Sequence, residues 1–175
     1  MTISPPVLEQ VRLRAQFACE YCGVIEADTG GELTVDHFQP STRGGSDDVS
    51  NLLYCCYRCN LYKADYWPTQ PTHVPLWNPR REPASNHFLT LLDGSLYPVT
   101  AVGAFTIRRL RLNRSPLLSY RRRKQSESEE AKLLARYREV IVSLERMEQQ
   151  YAALLADHRA LLEQQRQLLR MLDGS

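Results

Sequence analysis

Two pairs of cysteines, Cys19-Glu20-Tyr21-Cys22 and Cys56-Tyr57-Arg58-Cys59, stand on either side of the run Leu33-Thr34-Val35-Asp36-His37. CxxC pairs separated by tens of residues match a closed tetrahedral site, in which four thiolates hold zinc at about 2.3 Å and leave no position for substrate. Zinc held in this way is structural. Cys19, Cys22, Cys56 and Cys59 are therefore the expected zinc ligands, and any chemistry must come from the residues between and just after them. Cys55 adjoins a ligand and reads as a small apolar residue on a strand; the alternative is that it replaces Cys56 in the metal set.

Asp36 and His37 end an apolar, β-branched stretch and are followed by Pro40, Gly44-Gly45 and Asn51, while Asn60 and Lys63 come just after the second pair. An imidazole titrating near neutrality is suited to deprotonating water. Asp36 supplies a hard carboxylate oxygen and Asn60 a neutral one, enough for a magnesium or manganese ion that keeps some waters and also takes a phosphate. The set fits hydrolysis of a phosphodiester, with His37 as general base and a divalent ion stabilising the growing charge. Neighbouring side chains on a strand point to opposite faces, so Asp36 and His37 reach one phosphate only if the strand ends or twists there. Asn60 should lie in the first turn of a helix starting near Cys56 or Tyr57, with Lys63 on the same face; Lys63 either contacts phosphate or solvates that helix.

Taken in order, these elements resemble the HNH endonuclease family: a CxxC pair, Asp-His closing a strand, a proline and glycine loop, Asn51-Leu52, and a second CxxC followed by Asn60 and Lys63. The resemblance covers about Val11 to Trp67. It implies an α+β fold with a ββα-metal (His-Me finger) core stapled by the four-cysteine zinc site. It also implies His37 as base, Asp36 and Asn60 as ligands of the catalytic ion, and Asn51 as the brace of the loop that positions His37. A one-metal mechanism leaving a 5′-phosphate and a 3′-hydroxyl goes with it. The last motif position is Asn60 where the family often has His, an HNN version that favours magnesium or manganese over softer ions.

These residues need a scaffold, and the chain divides into three expected segments: a nuclease domain at 1–70, a proline-rich wrap, β-hairpin and basic segment at 71–124, and a long helix or coiled coil at 125–175. Ser4 before Pro5-Pro6 predicts a helix start, and strands are expected at Leu33–Phe38 and Leu52–Cys55. Five prolines and two tryptophans between Tyr66 and Pro83 exclude a regular helix. A small β extension is expected around the turn Asp93-Gly94-Ser95. Ser126 and Glu129 form a capping box. Beyond them Tyr137, Val140, Leu144, Met147, Tyr151, Leu154, Leu161, Leu168 and Leu172 follow at alternating steps of three and four, with His158 and Gln165 in the same row. Ile141, Leu155, Leu162 and Leu169 widen the stripe. A helix from Glu127 to Leu172 would be about 70 Å long and needs a partner helix. A coiled coil with a second copy is preferred; a hairpin broken near Ala156 to Ala160, or docking on a different protein, are the alternatives.

Residues 1–104 carry 7 Lys and Arg against 11 Asp and Glu, residues 105–124 carry 8 against none, and residues 125–175 carry 7 against 9, so the positive charge is concentrated in one short segment. Arg108, Arg109, Arg111, Arg114, Arg121, Arg122, Arg123 and Lys124 could bind a polyanion, and with Lys63 they are the candidate DNA contacts. A merely solvated charge run is the alternative. His73, His87 and His158 match no motif and read as surface or packing residues. No apolar run has membrane-span length, and Met1-Thr2-Ile3-Ser4-Pro5-Pro6 lacks the pattern of a secretory signal. With cysteines arranged for metal rather than disulfides, a cytoplasmic location is expected. The rival to a DNA endonuclease is a catalytically silent, zinc-stabilised nucleic-acid-binding or assembly module acting through the coiled coil.

Overall fold

The computed structural model describes residues 3–173; Met1, Thr2, Gly174, Ser175 and the side chains of Leu172 and Asp173 lie outside the described residues. The chain forms two compact units, Met1–Gln125 and Ser126–Ser175.

In the first unit, an extended Ser4 followed by two prolines starts α1 (Pro5–Arg14). Proline suits that place because its φ is already helical and its missing N–H would go unpaired in the first turn anyway. A single turn, α2 (Glu26–Thr29), precedes β1 (Thr34–His37), which pairs antiparallel with β2 (Leu52–Cys55) in the register Thr34↔Cys55, Asp36↔Leu53 and His37↔Leu52. Side chains alternate along β2. Leu52 and Tyr54 pack with Val11 on one face, whereas Leu53 and Cys55 enter the main core with Trp77, Phe88, Leu110 and Leu117 on the other. Both faces of β2 are therefore covered, and α3 (Tyr57–Lys63) completes a β-β-α arrangement.

The proline-rich stretch wraps this core through Trp77. Its backbone N–H donates to Thr106 Oγ1 at 2.8 Å, its indole N–H to the Glu82 carbonyl at 2.9 Å, and its ring meets Phe88 edge-on. A hairpin of β3 (Phe88–Thr90) and β4 (Leu96–Pro98) follows. Next comes α4 (Ala101–Arg109), whose N-terminus is capped by Thr100 accepting from Gly103 N–H at 3.0 Å. A side chain at Gly103 would meet the His87 carbonyl at 2.3 Å, so glycine is what lets α4 lie against that loop. The expected boundary at residue 70 does not separate two cores: Trp77, Phe88, Leu110 and Leu112 share one cluster with Cys19, Cys22, Cys56 and Cys59. His87 is buried as a packing residue between Glu82 and Thr100.

The last helix, α5 (Ser115–Asp173), begins well ahead of the capping box expected at Ser126 and Glu129. Pro116 sits harmlessly in its first turn, and the Arg and Lys residues after it are good helix formers, so nothing stops the helix before Ser126. The second unit is one uninterrupted helix without the break near Ala156 to Ala160 that a hairpin would need. Every residue of that unit from Ser126 to Met171 is exposed. No helix among the described residues is long and apolar enough to cross a membrane.

Candidate active site and metal centre

The Sγ atoms of Cys19, Cys22, Cys56 and Cys59 all lie within 4.8 Å of one another, and those of Cys22 and Cys56 are 3.7 Å apart. Thiolates arranged tetrahedrally at zinc distance are separated by about 3.8 Å. Two tight turns deliver them. Gly23, at φ +78°, closes the first with its N–H on the Cys19 carbonyl at 2.8 Å. In the second, Cys56 caps α3 and its sulfur accepts from Cys59 N–H at 3.5 Å. Hydrogen bonds from Cys22, Cys55, Cys56 and Cys59 hold the Cys19 thiol well below its ordinary pKa. Cys55, buried and hydrogen-bonded to Cys19, is pushed well up, and it stays outside the four-sulfur group of Cys19, Cys22, Cys56 and Cys59.

On the neighbouring strand, register sends Asp36 and His37 to opposite faces. Asp36 faces α3, where the fully buried Lys63 ammonium lies 2.9 Å from its Oδ2 but off the direction of a hydrogen bond. Burial raises the Asp36 carboxyl pKa, with Lys63 opposing the shift. Lys63 also donates to the His37 carbonyl at 2.6 Å. One turn earlier, Asn60 Nδ2 donates to Thr34 Oγ1 at 3.3 Å, while its amide oxygen accepts no hydrogen bond among the described residues. The three-residue step of α3 thus matches the two-residue step of β1, Asn60 to Thr34 and Lys63 to Asp36. The Asp36 carboxylate and the Asn60 amide oxygen are hard donors of the kind a magnesium-like ion prefers, with the Lys63 ammonium standing against Asp36 Oδ2.

The His37 ring points the other way, and its Nε2 lies 2.7 Å from Asp47 Oδ1. Asn51 clamps the intervening loop. Its Oδ1 accepts from Gln39 N–H at 2.9 Å, and its Nδ2 donates to the carbonyls of Gln39 at 3.1 Å and Ser46 at 2.8 Å. Asp47 went unforeseen; its only signal in the sequence is an acidic pair just after Gly44-Gly45.

The basic residues do not form one surface. Lys63 is fully buried and cannot touch a phosphate from its place, contrary to expectation. Arg109 donates to the Lys63 carbonyl at 3.1 Å, and Arg121 to the carbonyls of Gly94 and Leu112. Arg114 aims its guanidinium at the sulfurs of Cys59 and Cys56, at 3.9 and 4.0 Å, while lying over Tyr62. Arg109, Arg114 and Arg121 are thus tied into the fold rather than left for DNA, because α4 and α5 pack against the core on the side that carries them. Arg108, Arg111, Arg122, Arg123 and Lys124 are exposed.

A zinc-type cysteine cluster set on a β-β-α unit, with His37 at the end of the first strand, defines a class of nuclease-like domains. Residues 19–65 match the family model described as HNH endonuclease, and the chain carries an HNH domain over that span, in a form whose four cysteines fit zinc. Comparisons with curated proteins and with solved structures return no match.

Proposed function

We propose that the first unit is a divalent-metal-dependent endonuclease that hydrolyses DNA phosphodiester bonds, with His37 as general base. The observation that carries this reading is the family match over residues 19–65, within which His37 closes β1 with its ring on Asp47 beside the loop that Asn51 clamps, while Asp36 and Asn60 lie where α3 packs against β1. In the step, water oxygen bonds to phosphorus, the phosphorus–O3′ bond breaks, the water proton passes to His37, and the leaving oxygen is protonated from solvent. Asp36 and Asn60 would hold magnesium or manganese, which supplies stabilisation of charge on the phosphate when bound. Asn51 keeps the loop beside His37 in place, and Arg108, Arg111, Arg122, Arg123 and Lys124 offer phosphate contacts.

The silent-module reading keeps one observation in its favour. A buried Lys63 already balances Asp36, so that carboxylate needs no metal to be stable. Cleavage of supercoiled plasmid separates the two readings. Magnesium-dependent nicking, abolished by chelation of magnesium and reduced by about 100-fold or more in His37→Ala at matched zinc content, is expected. A folded, zinc-loaded wild type that cuts nothing with magnesium or manganese favours the silent module.

A further inference from the structure

We propose that Asp47 is a positioning residue for His37, fixing the imidazole so that Nε2 carries the proton and Nδ1 is left to take one from water. This rests on the reading of His37 as the base. The contact is direct, Nε2 to Oδ1 at 2.7 Å across ten residues of chain, and Nδ1 has no hydrogen-bond partner among the described residues.

The loop that brings Asp47 back is tightly specified. Asn51 holds the Ser46 carbonyl on one side of Asp47, and on the other the Asp48 carboxylate accepts from Ser46 Oγ at 2.6 Å. Gly45 lies so close to the Gln39 carbonyl that a Cβ there would meet its oxygen at 1.8 Å. Of the two adjacent acids, Asp48 is committed to the loop and Asp47 faces the histidine. A carboxylate only accepts hydrogen bonds, so it selects the tautomer with hydrogen on the nitrogen it faces and stabilises the imidazolium formed when the other nitrogen gains a proton. The same division of labour orients the base of hydrolytic triads on unrelated folds. Asp47 touches neither water nor phosphate in this scheme; it acts through His37.

The experiment compares wild type, Asp47→Asn, Asp47→Glu and Asp48→Asn in the full-length, zinc-loaded chain, with two readouts. The first is the pair of ¹⁵N ring shifts of His37 in mildly alkaline buffer without DNA, which report the tautomer. The second is kcat and KM for plasmid nicking with magnesium. The wild-type ring is expected to be protonated at Nε2. Asp47→Asn should give a mixture of tautomers and a kcat lower by about 10- to 100-fold, with KM changed less than about twofold. Asp47→Glu should recover part of both. Asp48→Asn, which keeps an oxygen for Ser46, should move neither. The proposal is overturned if the wild-type ring carries its proton on Nδ1, or if Asp47→Asn leaves the ring shifts or kcat unaltered. A wild type that does not nick DNA sinks the nuclease reading separately, and the ring shifts alone then decide whether Asp47 positions His37.

Discussion

In the first unit Leu52, Leu53, Cys55, Leu110 and Leu112 are wholly screened from solvent, whereas in the second Leu154, Leu161 and Leu168 keep 66%, 63% and 62% of their surface exposed. The two units have similar apolar material and dispose of it in opposite ways. Residues far apart in sequence meet in the first because a two-stranded sheet covered on both faces and a four-sulfur cluster bring them together. In the second, the backbone satisfies itself locally and the stripe from Leu133 to Leu169 is exposed. Long helices draw most of their stability from packing of an apolar face. The first unit should therefore depend on its metal, and the second on a partner.

The sharpest way to break the comparison is to remove the zinc. Cys56→Ala should lose the metal and the near-ultraviolet signal of Trp77 with it, since a structural zinc site contributes on the order of 10 kcal/mol to the fold it staples. Cys55→Ala should retain one zinc per chain and cost about 1–2 kcal/mol in a chemical denaturation. Metal analysis of the two purified variants decides the matter, and the reverse pattern would put Cys55 in the ligand set.

A smaller effect is expected from the second unit. We propose that its stripe pairs with a second copy, since Tyr137, Val140, Leu144, Met147, Tyr151 and Leu154 hold the alternating three- and four-residue spacing of a coiled-coil seam. Leu154→Asp with Leu161→Asp should halve the mass measured by light scattering, each lost leucine weakening association by about 2–3 kcal/mol, while zinc content stays unchanged. A wild type that is monomeric at micromolar concentration would leave the stripe for a different protein.

What could be read beforehand follows the same division. The cysteine ligands, β2, the small hairpin and the helix start at Pro5 were legible because each is a local pattern of spacing, capping or alternation. The destinations of the arginines were not. Arg109, Arg114 and Arg121 look in sequence like their exposed neighbours, and only the packing of α4 and α5 turns them towards Lys63, the cysteine sulfurs and the Leu112 carbonyl. Lys63 was misread for a related reason, because a three-residue step from Asn60 fixes the helix face but not that the face is buried against β1. Asp47 was missed because its partner is set by the loop rather than by period. The start of α5 was missed because a good capping box at Ser126 is simply bypassed when the preceding residues are also helical.

The smallest effect concerns acid. Glu26 joins three elements of the first unit: Arg12 of α1 grips both its oxygens at 2.7 and 2.8 Å, and the Tyr54 hydroxyl of β2 donates to it. The Arg12 bonds, then that of Tyr54, lower its pKa from an ordinary 4.5 to about 2. Above 4.5 the carboxylate is ionised in folded and unfolded chains alike, and its full preference for the folded state is expressed. As pH falls from 4.5 towards 2 the unfolded chain takes up the proton first, so that contribution shrinks, and below about 2 it is gone. In the second unit the exposed Glu163–Arg166 pair at 3.9 Å is of the kind that adds little. Mild acid should therefore loosen the first unit while helicity from the second persists. Glu26→Gln should be less stable than wild type near neutrality and show a flatter decline in urea midpoint between about pH 6 and about pH 3. Parallel declines in the two proteins would mean that the Arg12–Glu26–Tyr54 link does not govern the acid sensitivity of the first unit.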